Sequence, residues 1–267
     1  QGGGLTATAL VAAARLGART AFMAVLGDDD LSRFALDELA REGVDCSPVL
    51  RREGAHPIHA VIIVDRSTGE RTILYTMDGH TPVAPDEVSA DLIARARVLF
   101  VDSTSGAGGL RALELAHQRG IPVVADIEQE AAPGMAELLP RVDHLIVSLE
   151  VAGRLTGASE PAAMVRALAS PARACAVVTG GERGCWYAGR DGAVHHFPAF
   201  RVAVVDTTGC GDVFHGAYAA GIARGEPLEQ VIRVATATAG LKATRPGGRS
   251  GIPTRAQVEA FVRSVPV

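Results

Sequence analysis

The sequence predicts an α/β fold with a doubly wound, mostly parallel sheet that is flanked by helices. Segments typical of buried strands alternate with helical segments between residues 98 and 179, an order that indicates parallel strands joined by right-handed crossovers. Hydrophobic residues make up 48% of the sequence but aromatic residues only 4%, so the core consists of Ala, Val, Leu and Ile. A length of 267 residues suits one large domain of this class.

A run of glycines at residues 2–4 opens the sequence and leads into a predicted helix at 5–16, which ends at Gly17. We then predict a buried strand at 20–26, an acidic turn at 27–30 and a helix at 31–42. A glycine turn that leads into a helix normally follows a strand. We therefore expect a first strand of the fold upstream of Gln1.

Two β-rich segments at 59–65 and 71–77 predict a hairpin with its turn at 66–70. We therefore divide the chain into an α/β core, residues 1–54 and 80–267, and a small β-hairpin, residues 55–79. Three roles stay open for the segment from Ile58 to Met77. It is a lid over a site, a clasp between two copies of the chain, or an edge hairpin of the main sheet.

The alternating region supplies candidate ligand-binding residues, because ligands of doubly wound sheets bind beyond the carboxyl ends of the strands. The predicted strands are 98–102, 122–126, 144–148 and 175–179, and the predicted helices are 109–119, 133–139 and 161–169. Polar residues stand at or just beyond these strand ends: Asp102, Asp126, Glu128, Ser148 and Thr179.

The turn at 179–184 joins the last of these strands to a further strand at 185–187, and residues 192–198 complete a hairpin. The turn does not match the Walker motif, and it does not open a helix as the dinucleotide fingerprint does. It is therefore either a plain hairpin turn or a turn that brings backbone close to a nucleotide.

The most informative stretch runs from Val204 to Gly216, where an apolar segment passes through a glycine-rich turn into a predicted helix at 213–224. A helix that starts in such a turn directs unpaired N–H groups and the positive end of its dipole at a ligand, which makes an anion site. Asp212 adds a carboxylate that a passive phosphate site does not need. The stretch therefore indicates phosphoryl transfer, although Asp206, Thr207, Thr208 and Asp212 are also ordinary capping residues.

Two helices at 228–243 and 254–263 end the chain, and a long glycine-rich turn at 245–251 separates them. A turn of this kind can fold over the preceding site. Its carbonyl groups can then bind a cation.

Composition excludes several functions. A net charge of −4 without a run of Lys or Arg gives no surface for nucleic acid or for a membrane. The four cysteines have no CxxC spacing, which argues against a zinc site and a disulfide framework and favours the reducing cytoplasm. The apolar run at 5–14 is too short to span a bilayer.

Residues 206–212, Asp-Thr-Thr-Gly-Cys-Gly-Asp, closely resemble the D-T-x-G-A-G-D signature of the PfkB, or ribokinase-like, carbohydrate kinases. The glycines at 3–4 with residues 14–17 resemble the amino-terminal signature of that family, and the resemblance extends over essentially the whole sequence. Residues 71–75 and 147–152 are similar to ketohexokinases. Residues 2–4, 27–30 and 244–249 are similar to bacterial 6-deoxy-6-sulfofructose kinases. The resemblance thus implies a ribokinase-like fold and the ketose-phosphorylating branches.

The resemblance implies a role for each matching residue. Asp212 is the base that faces the sugar hydroxyl, and the amides of Gly209, Cys210 and Gly211 form the anion hole. The sugar-binding residues are Gly3, Gly4 and Thr8, although many members have Asn in place of Thr8. The nucleotide-binding residues are Thr179, Gly181, Glu182, Gly184, Gly209 and Gly211. The residues that correspond to a monovalent-cation site are Asp206, Thr208 and Gly247.

The implied reaction transfers the γ-phosphoryl group of ATP to a hydroxyl of a small carbohydrate, with Mg²⁺ on the phosphates and, in several members, K⁺. The expected acceptor is a fructose-type ketose or sulfofructose, and the alternative within the family is a ribokinase or nucleoside kinase. A non-catalytic sugar sensor is the alternative of another class, since the family's N-x-x-E element reads Ser-Leu-Glu-Val at 148–151. We expect a cytoplasmic homodimer.

Overall fold

The structure is a computed structural model that describes residues 1–64 and 71–265. Its strands are β1 (Val25–Leu26), β2 (Leu50–Arg51), β3 (His59–Val64), β4 (Arg71–Thr76), β5 (Leu99–Asp102), β6 (Val123–Asp126), β7 (His144–Ser148), β8 (Cys175–Thr179), β9 (Cys185–Gly189) and β10 (Val194–Phe197). Its α-helices are α1 (Leu5–Arg15), α2 (Asp30–Arg41), α3 (Ala90–Ala94), α4 (Gly106–His117), α5 (Met135–Leu138), α6 (Leu149–Thr156), α7 (Pro161–Leu168), α8 (Cys210–Arg224), α9 (Leu228–Ala243) and α10 (Arg255–Ser264).

Six strands form the main sheet in the order β10-β9-β8-β7-β6-β5. Strands β5 to β8 run parallel, and β9 and β10 are antiparallel additions at one edge. Helices cover both faces, so successive residues of β6 are buried on opposite sides. Val123 packs in the cluster that includes residues of α4, α5 and α7, whereas Val124 packs in the cluster of α8, α9 and α10. The predicted doubly wound fold is confirmed.

Helix boundaries follow the capping residues. The Asp29 carboxylate accepts hydrogen bonds from the N–H groups of Leu31 and Ser32 at 2.9 and 3.0 Å, and α2 therefore begins one residue earlier than predicted. The Ser148 hydroxyl accepts the N–H of Val151 at 3.2 Å and starts α6, which the sequence analysis did not predict. No glycine or proline separates β7 from α6, so the change of element leaves little signal in the sequence.

The strand predicted at 20–26 is much shorter in the structure. Only Val25–Leu26 forms a strand, parallel to Leu50–Arg51, and Ala21 makes an isolated bridge to Asp45. Among the described residues no strand pairs with the other edge of this segment or with the outer edge of β5, and the lining of one open cleft includes both. Hydrogen bonds on one edge alone keep the segment extended without making it a full strand.

Strands β3 and β4 pair antiparallel and confirm the predicted hairpin, whose predicted turn at 66–70 lies outside the described residues. One face of the hairpin, with Ile62 and Tyr75, borders the cleft. The opposite face exposes Val61, Ile63 and Leu74 at 63%, 56% and 57%. The hairpin forms a sheet of its own, so the alternative of an edge hairpin on the main sheet is excluded.

Helices α1 and α8 pack so closely that there is no room for a side chain at position 216, and Gly216 in α8 permits this contact. A Cβ at this position would collide with the carbonyl oxygen of Ala9 in α1. The packing joins two helices that are far apart in the sequence, and the starts of both border the same cleft. Within the described ranges, none of the helices combines the length and the apolar character needed to cross a bilayer.

Candidate active site

Two glycine-led helix starts border the cleft. Helix α1 follows Gly4, whose φ is 91°, and α8 follows Gly209, whose φ is 74°. Glycine adopts such values at little cost. The conformation of Gly209 allows α8 to begin at Cys210, three residues before its predicted start. Asp212 is therefore the third residue of the helix, where a carboxylate lies within the first turn.

The cleft collects most of the residues that the sequence analysis predicted for the site. Those that border it are Gly3, Gly4, Thr8, Thr179, Gly181, Asp206, Thr208, Gly209, Cys210, Gly211, Asp212 and Gly247. Glu182 and Gly184 do not border it. The structure thus brings together segments from the beginning, the middle and the end of the chain.

The turn before α8 leaves backbone donors available. The Cys210 N–H donates to the carbonyl oxygen of Thr207 at 3.1 Å and closes the turn. Among the described residues, no hydrogen bond occupies the N–H groups of Gly209 and Gly211. These two donors, at the positive end of the α8 dipole, can receive an anion, whereas the Cys210 N–H is engaged.

Negative charge surrounds Asp212. Burial raises the pKa of the Asp212 carboxyl well above its ordinary value, and the carboxylates of Asp126 and Glu128 raise it further. His215 and Arg249 act in the opposite direction. The carboxyl group at the helix start is therefore held where it can gain a proton more readily than an exposed aspartate.

His215 is buried one turn after Asp212 on the same helix. Its Nδ1 atom lies 2.8 Å from the Gly211 carbonyl oxygen, and its Nε2 atom lies 3.1 Å from the Ile146 carbonyl oxygen. Burial lowers the pKa of His215, whereas both carbonyl contacts raise it. The Nε2 atom also lies 3.5 Å from Asp126. Because its pKa is lowered overall, the ring carries one proton at neutral pH and donates to one of the two carbonyls at a time. His215 thus lies between the Gly211 end of the anion turn and β7.

The strand-end candidates differ in their contacts, and all of them except Asp126 border the cleft. Asp102 accepts the Thr6 hydroxyl at 2.5 Å and the Thr104 N–H at 2.8 Å, and it thereby joins β5 to the first turn of α1. Ser148 caps α6. Burial raises the pKa of Asp126, whose Oδ2 atom has no hydrogen-bond partner among the described residues. Glu128 is exposed and borders the cleft.

The glycine-rich turn after α9 folds over the α8 turn. The Gly247 N–H donates to Asp206 Oδ2 at 2.8 Å, and the Thr208 N–H donates to Asp206 Oδ1 at 2.8 Å. A Cβ at Gly209 would lie only 2.8 Å from the carbonyl oxygen of Gly248. The sequence predicted this closure, and the structure shows that Asp206 holds the two turns together.

Arg249 is a functional candidate that the sequence analysis missed. The side chain is buried, its Nε atom donates to the Thr8 hydroxyl at 3.1 Å, and its Nη2 atom donates to the Gly3 carbonyl at 2.6 Å. Arg249 therefore fixes the glycine turn before α1, and the Thr8 hydroxyl is engaged with Arg249. The only signal in the sequence is a basic residue inside a glycine-rich turn.

The turn between β8 and β9 is a hairpin turn in which two glycines have different roles. A Cβ at Gly184 would collide with the carbonyl oxygen of Phe197, so this glycine allows the turn to pack against the end of β10. Gly181 has open space around its Cα and borders the cleft with Thr179. Both predicted alternatives for this turn are therefore compatible with its geometry.

Comparison with known proteins decides the family. The profile of the pfkB family carbohydrate kinases matches residues 1–255. The chain belongs to the pfkB family of carbohydrate kinases. This assignment confirms the predicted activity, that of an ATP-dependent carbohydrate kinase, and the predicted enzyme class, a phosphotransferase. The narrower assignment to the ketohexokinase or sulfofructose kinase branch stays a prediction.

Relatives of this pfkB-family kinase include fructokinases and ribokinases. Fructokinase-1 from Oryza sativa subsp. japonica is 31% identical over 98% of this chain and 88% of its own length. The crystal structure of a ribokinase from Thermotoga maritima is 25% identical, with a TM-score of 0.82 over 98% of this chain and 87% of that one. A fructokinase from Xylella fastidiosa, solved with bound ATP, is 22% identical, with a TM-score of 0.85 over 98% and 90%.

Proposed function

We propose that this pfkB-family kinase transfers the γ-phosphoryl group of ATP to a hydroxyl of a fructose-type ketose, with fructose or 6-deoxy-6-sulfofructose as the acceptor. One observation carries the proposal. The carboxylate of Asp212 and the available N–H groups of Gly209 and Gly211 lie at one helix start, in the cleft that Gly3 also borders. The fructokinases among the relatives favour a ketose acceptor.

In the proposed reaction the Gly209 and Gly211 amides hold the phosphoryl group, and Asp212 orients the acceptor hydroxyl. The bond from the γ-phosphorus to the bridging oxygen of ATP breaks as the bond to the sugar oxygen forms, and the hydroxyl proton passes to Asp212. Phosphoryl transfer needs positioning and charge stabilisation more than covalent help, and preorganised amides at a helix dipole supply both. Asp212 accepts its proton late, when the hydroxyl has become acidic.

We assign Thr179 and Gly181 to the nucleotide side of the cleft and Gly3 and Gly4 to the sugar side. Glu182 and Gly184 then act through the shape of the hairpin turn. Magnesium would neutralise charge on the ATP phosphates. Magnesium usually keeps several water ligands in such sites, so we infer that it is held mostly by the nucleotide phosphates and by water.

A coupled assay of ADP formation over fructose, sulfofructose, tagatose, ribose and adenosine tests the acceptor. We expect the highest kcat/KM for fructose or sulfofructose. A clear preference for ribose or adenosine would instead assign the chain to the ribokinase or nucleoside kinase alternative. Absence of ADP formation with every acceptor would favour the sugar sensor.

We also propose that the exposed face of the hairpin forms a clasp between two copies of the chain. Val61, Ile63 and Leu74 present a contiguous apolar surface, and monomeric proteins rarely expose such patches without function. We expect Leu74→Lys to convert a dimer into a monomer in size-exclusion chromatography with light scattering. The control is Ala136→Lys, which adds the same charge at an exposed position of α5. A wild-type monomer at micromolar concentration contradicts the clasp.

A further inference from the structure

Lys242 is the only lysine among the 26 lysine and arginine residues of the sequence. It lies in the last turn of α9, and its side chain is completely buried. Lysine is almost never fully buried unless it is paired. Its ammonium group is a compact point charge, whereas arginine has a broad planar fork. Arginine thus occupies every other Lys or Arg position of the sequence, and lysine stands at one buried position where a compact cation fits.

The ammonium group of Lys242 contacts the turn that leads to the anion site. Its Nζ atom donates to the carbonyl oxygen of Asp206 at 3.0 Å. Burial raises the pKa of the Asp206 carboxyl, but the hydrogen bonds from Thr208 and Gly247 and the charge of Lys242 outweigh burial and lower it. Asp206 is therefore a carboxylate with a fixed cation beside it.

The resemblance described above implies a potassium ion at Asp206, Thr208 and Gly247, and the donor set suits one poorly. Each of the three oxygens of Asp206 already accepts a hydrogen bond: Oδ1 from Thr208, Oδ2 from Gly247 and the carbonyl oxygen from Lys242. Each oxygen keeps a second lone pair, but a cation would have to share every Asp206 oxygen with a donor that is already in place. It would also be repelled by the ammonium group at the same residue.

We propose that the ammonium group of Lys242 takes the place of a monovalent cation in this kinase, so that its activity does not depend on potassium. An ammonium group resembles potassium in charge and size, and here it is tethered to α9. The proposal rests on the phosphoryl-transfer function proposed above, because it concerns the turn that presents Gly209 and Asp212.

The contacts around Lys242 show how a tethered cation can order this turn. The N–H groups of Val205 and Asp206 donate to the Ala243 carbonyl oxygen at 2.8 and 3.1 Å, so the end of α9 already holds this segment. Lys242 adds a charged contact at the next carbonyl group. The segment then continues through Thr208 and Gly209 into α8, and its position fixes the direction of the free amides.

The first experiment measures wild-type turnover at constant ionic strength in chloride salts of potassium, sodium and tetramethylammonium. We expect the same kcat within about twofold in all three salts, because the required cation, the ammonium group of Lys242, is part of the chain itself. A rise of about tenfold or more on exchange of tetramethylammonium for potassium would overturn the proposal.

The second experiment removes the charge with Lys242→Met. We expect kcat to fall by about 10- to 100-fold in tetramethylammonium and to recover in part when potassium or ammonium is added. The matched control is Thr238→Val, because Thr238 lies one turn earlier in α9, is also fully buried and bonds only the Val234 carbonyl at 2.6 Å. The control should show neither the loss nor the potassium response. Wild-type turnover by Lys242→Met in tetramethylammonium would contradict the proposal.

The third experiment does not depend on kinase activity. A protein that binds potassium gains stability by mass action, so its Tm rises when potassium replaces tetramethylammonium. We expect no rise for the wild-type protein and a rise for Lys242→Met. A wild-type Tm that increases by several degrees contradicts the proposal. The wild-type Tm tests the proposal even if Lys242→Met is too unstable to assay or if no sugar is phosphorylated.

Discussion

Asp212→Asn is expected to lower kcat by about 10²- to 10⁴-fold while ATP and the sugar still bind. The amide has the shape of the carboxyl group but cannot take the proton of the acceptor hydroxyl. Burial and the neighbouring carboxylates raise the pKa of Asp212, so wild-type turnover should also fall as the pH decreases through that raised value. The protonated carboxyl can no longer accept a proton. The measurements are kcat, both KM values and the pH profile.

The control for this variant is Asp91→Asn, which makes the same change in the first turn of α3, at an exposed position. Its kinetic constants should equal those of the wild type. Calorimetric titration with a non-hydrolysable ATP analogue separates binding from catalysis. If Asp212→Asn turns over at a near-normal rate, Asp212 is not the base and the proposed mechanism fails.

Gly209→Ala is expected to lower kcat by about 10²- to 10³-fold, the loss that follows removal of a donor from an oxyanion hole. A left-handed φ of 74° strains any residue with a Cβ, and here the new methyl group would lie 2.8 Å from the Gly248 carbonyl oxygen. The turn must therefore move away from the loop that closes it. Kinetics and the Tm of the variant measure the effect.

Gly225→Ala separates the backbone strain from the contact with the loop. Gly225 ends the same helix with a φ of 71°, but no atom lies within 4 Å of a Cβ built there. This control should lose about 1–2 kcal/mol of stability through strain and keep its kcat. Equal losses of kcat in both variants would mean that the α8 turn has no special part in catalysis.

Much of the fold could be predicted because each βα unit carries its own signal. The apolar runs of β6, β7 and β8 and the glycines that end the helices are local features, and they placed these strands within one residue. The length of the strand predicted at 20–26 was overestimated because the composition of this segment is that of a buried strand. Whether such a segment becomes a strand depends on neighbours on both edges, and the sequence of the segment does not encode those neighbours.

The candidate site divides in the same way. The residues of the α8 turn are adjacent in the sequence, so Asp206, Gly209 and Asp212 could be identified together. Arg249 and Lys242 act on residues that are 246 and 36 positions away, through contacts with the carbonyls of Gly3 and Asp206. A carbonyl acceptor is available at every residue, and no residue type identifies which one a distant cation will contact.

The contact between Arg249 and the glycine turn also has a consequence for the order in which the molecule becomes competent. The Gly3 carbonyl is held by a side chain 246 residues later, so the glycine turn before α1 lacks this restraint until Arg249 has been synthesised. A ribosome-bound chain can form the β6–β8 units earlier, because their contacts are closer in sequence. The glycine edge of the cleft is thus fixed only after the βα units have been synthesised, and a fragment that ends before Arg249 lacks this restraint.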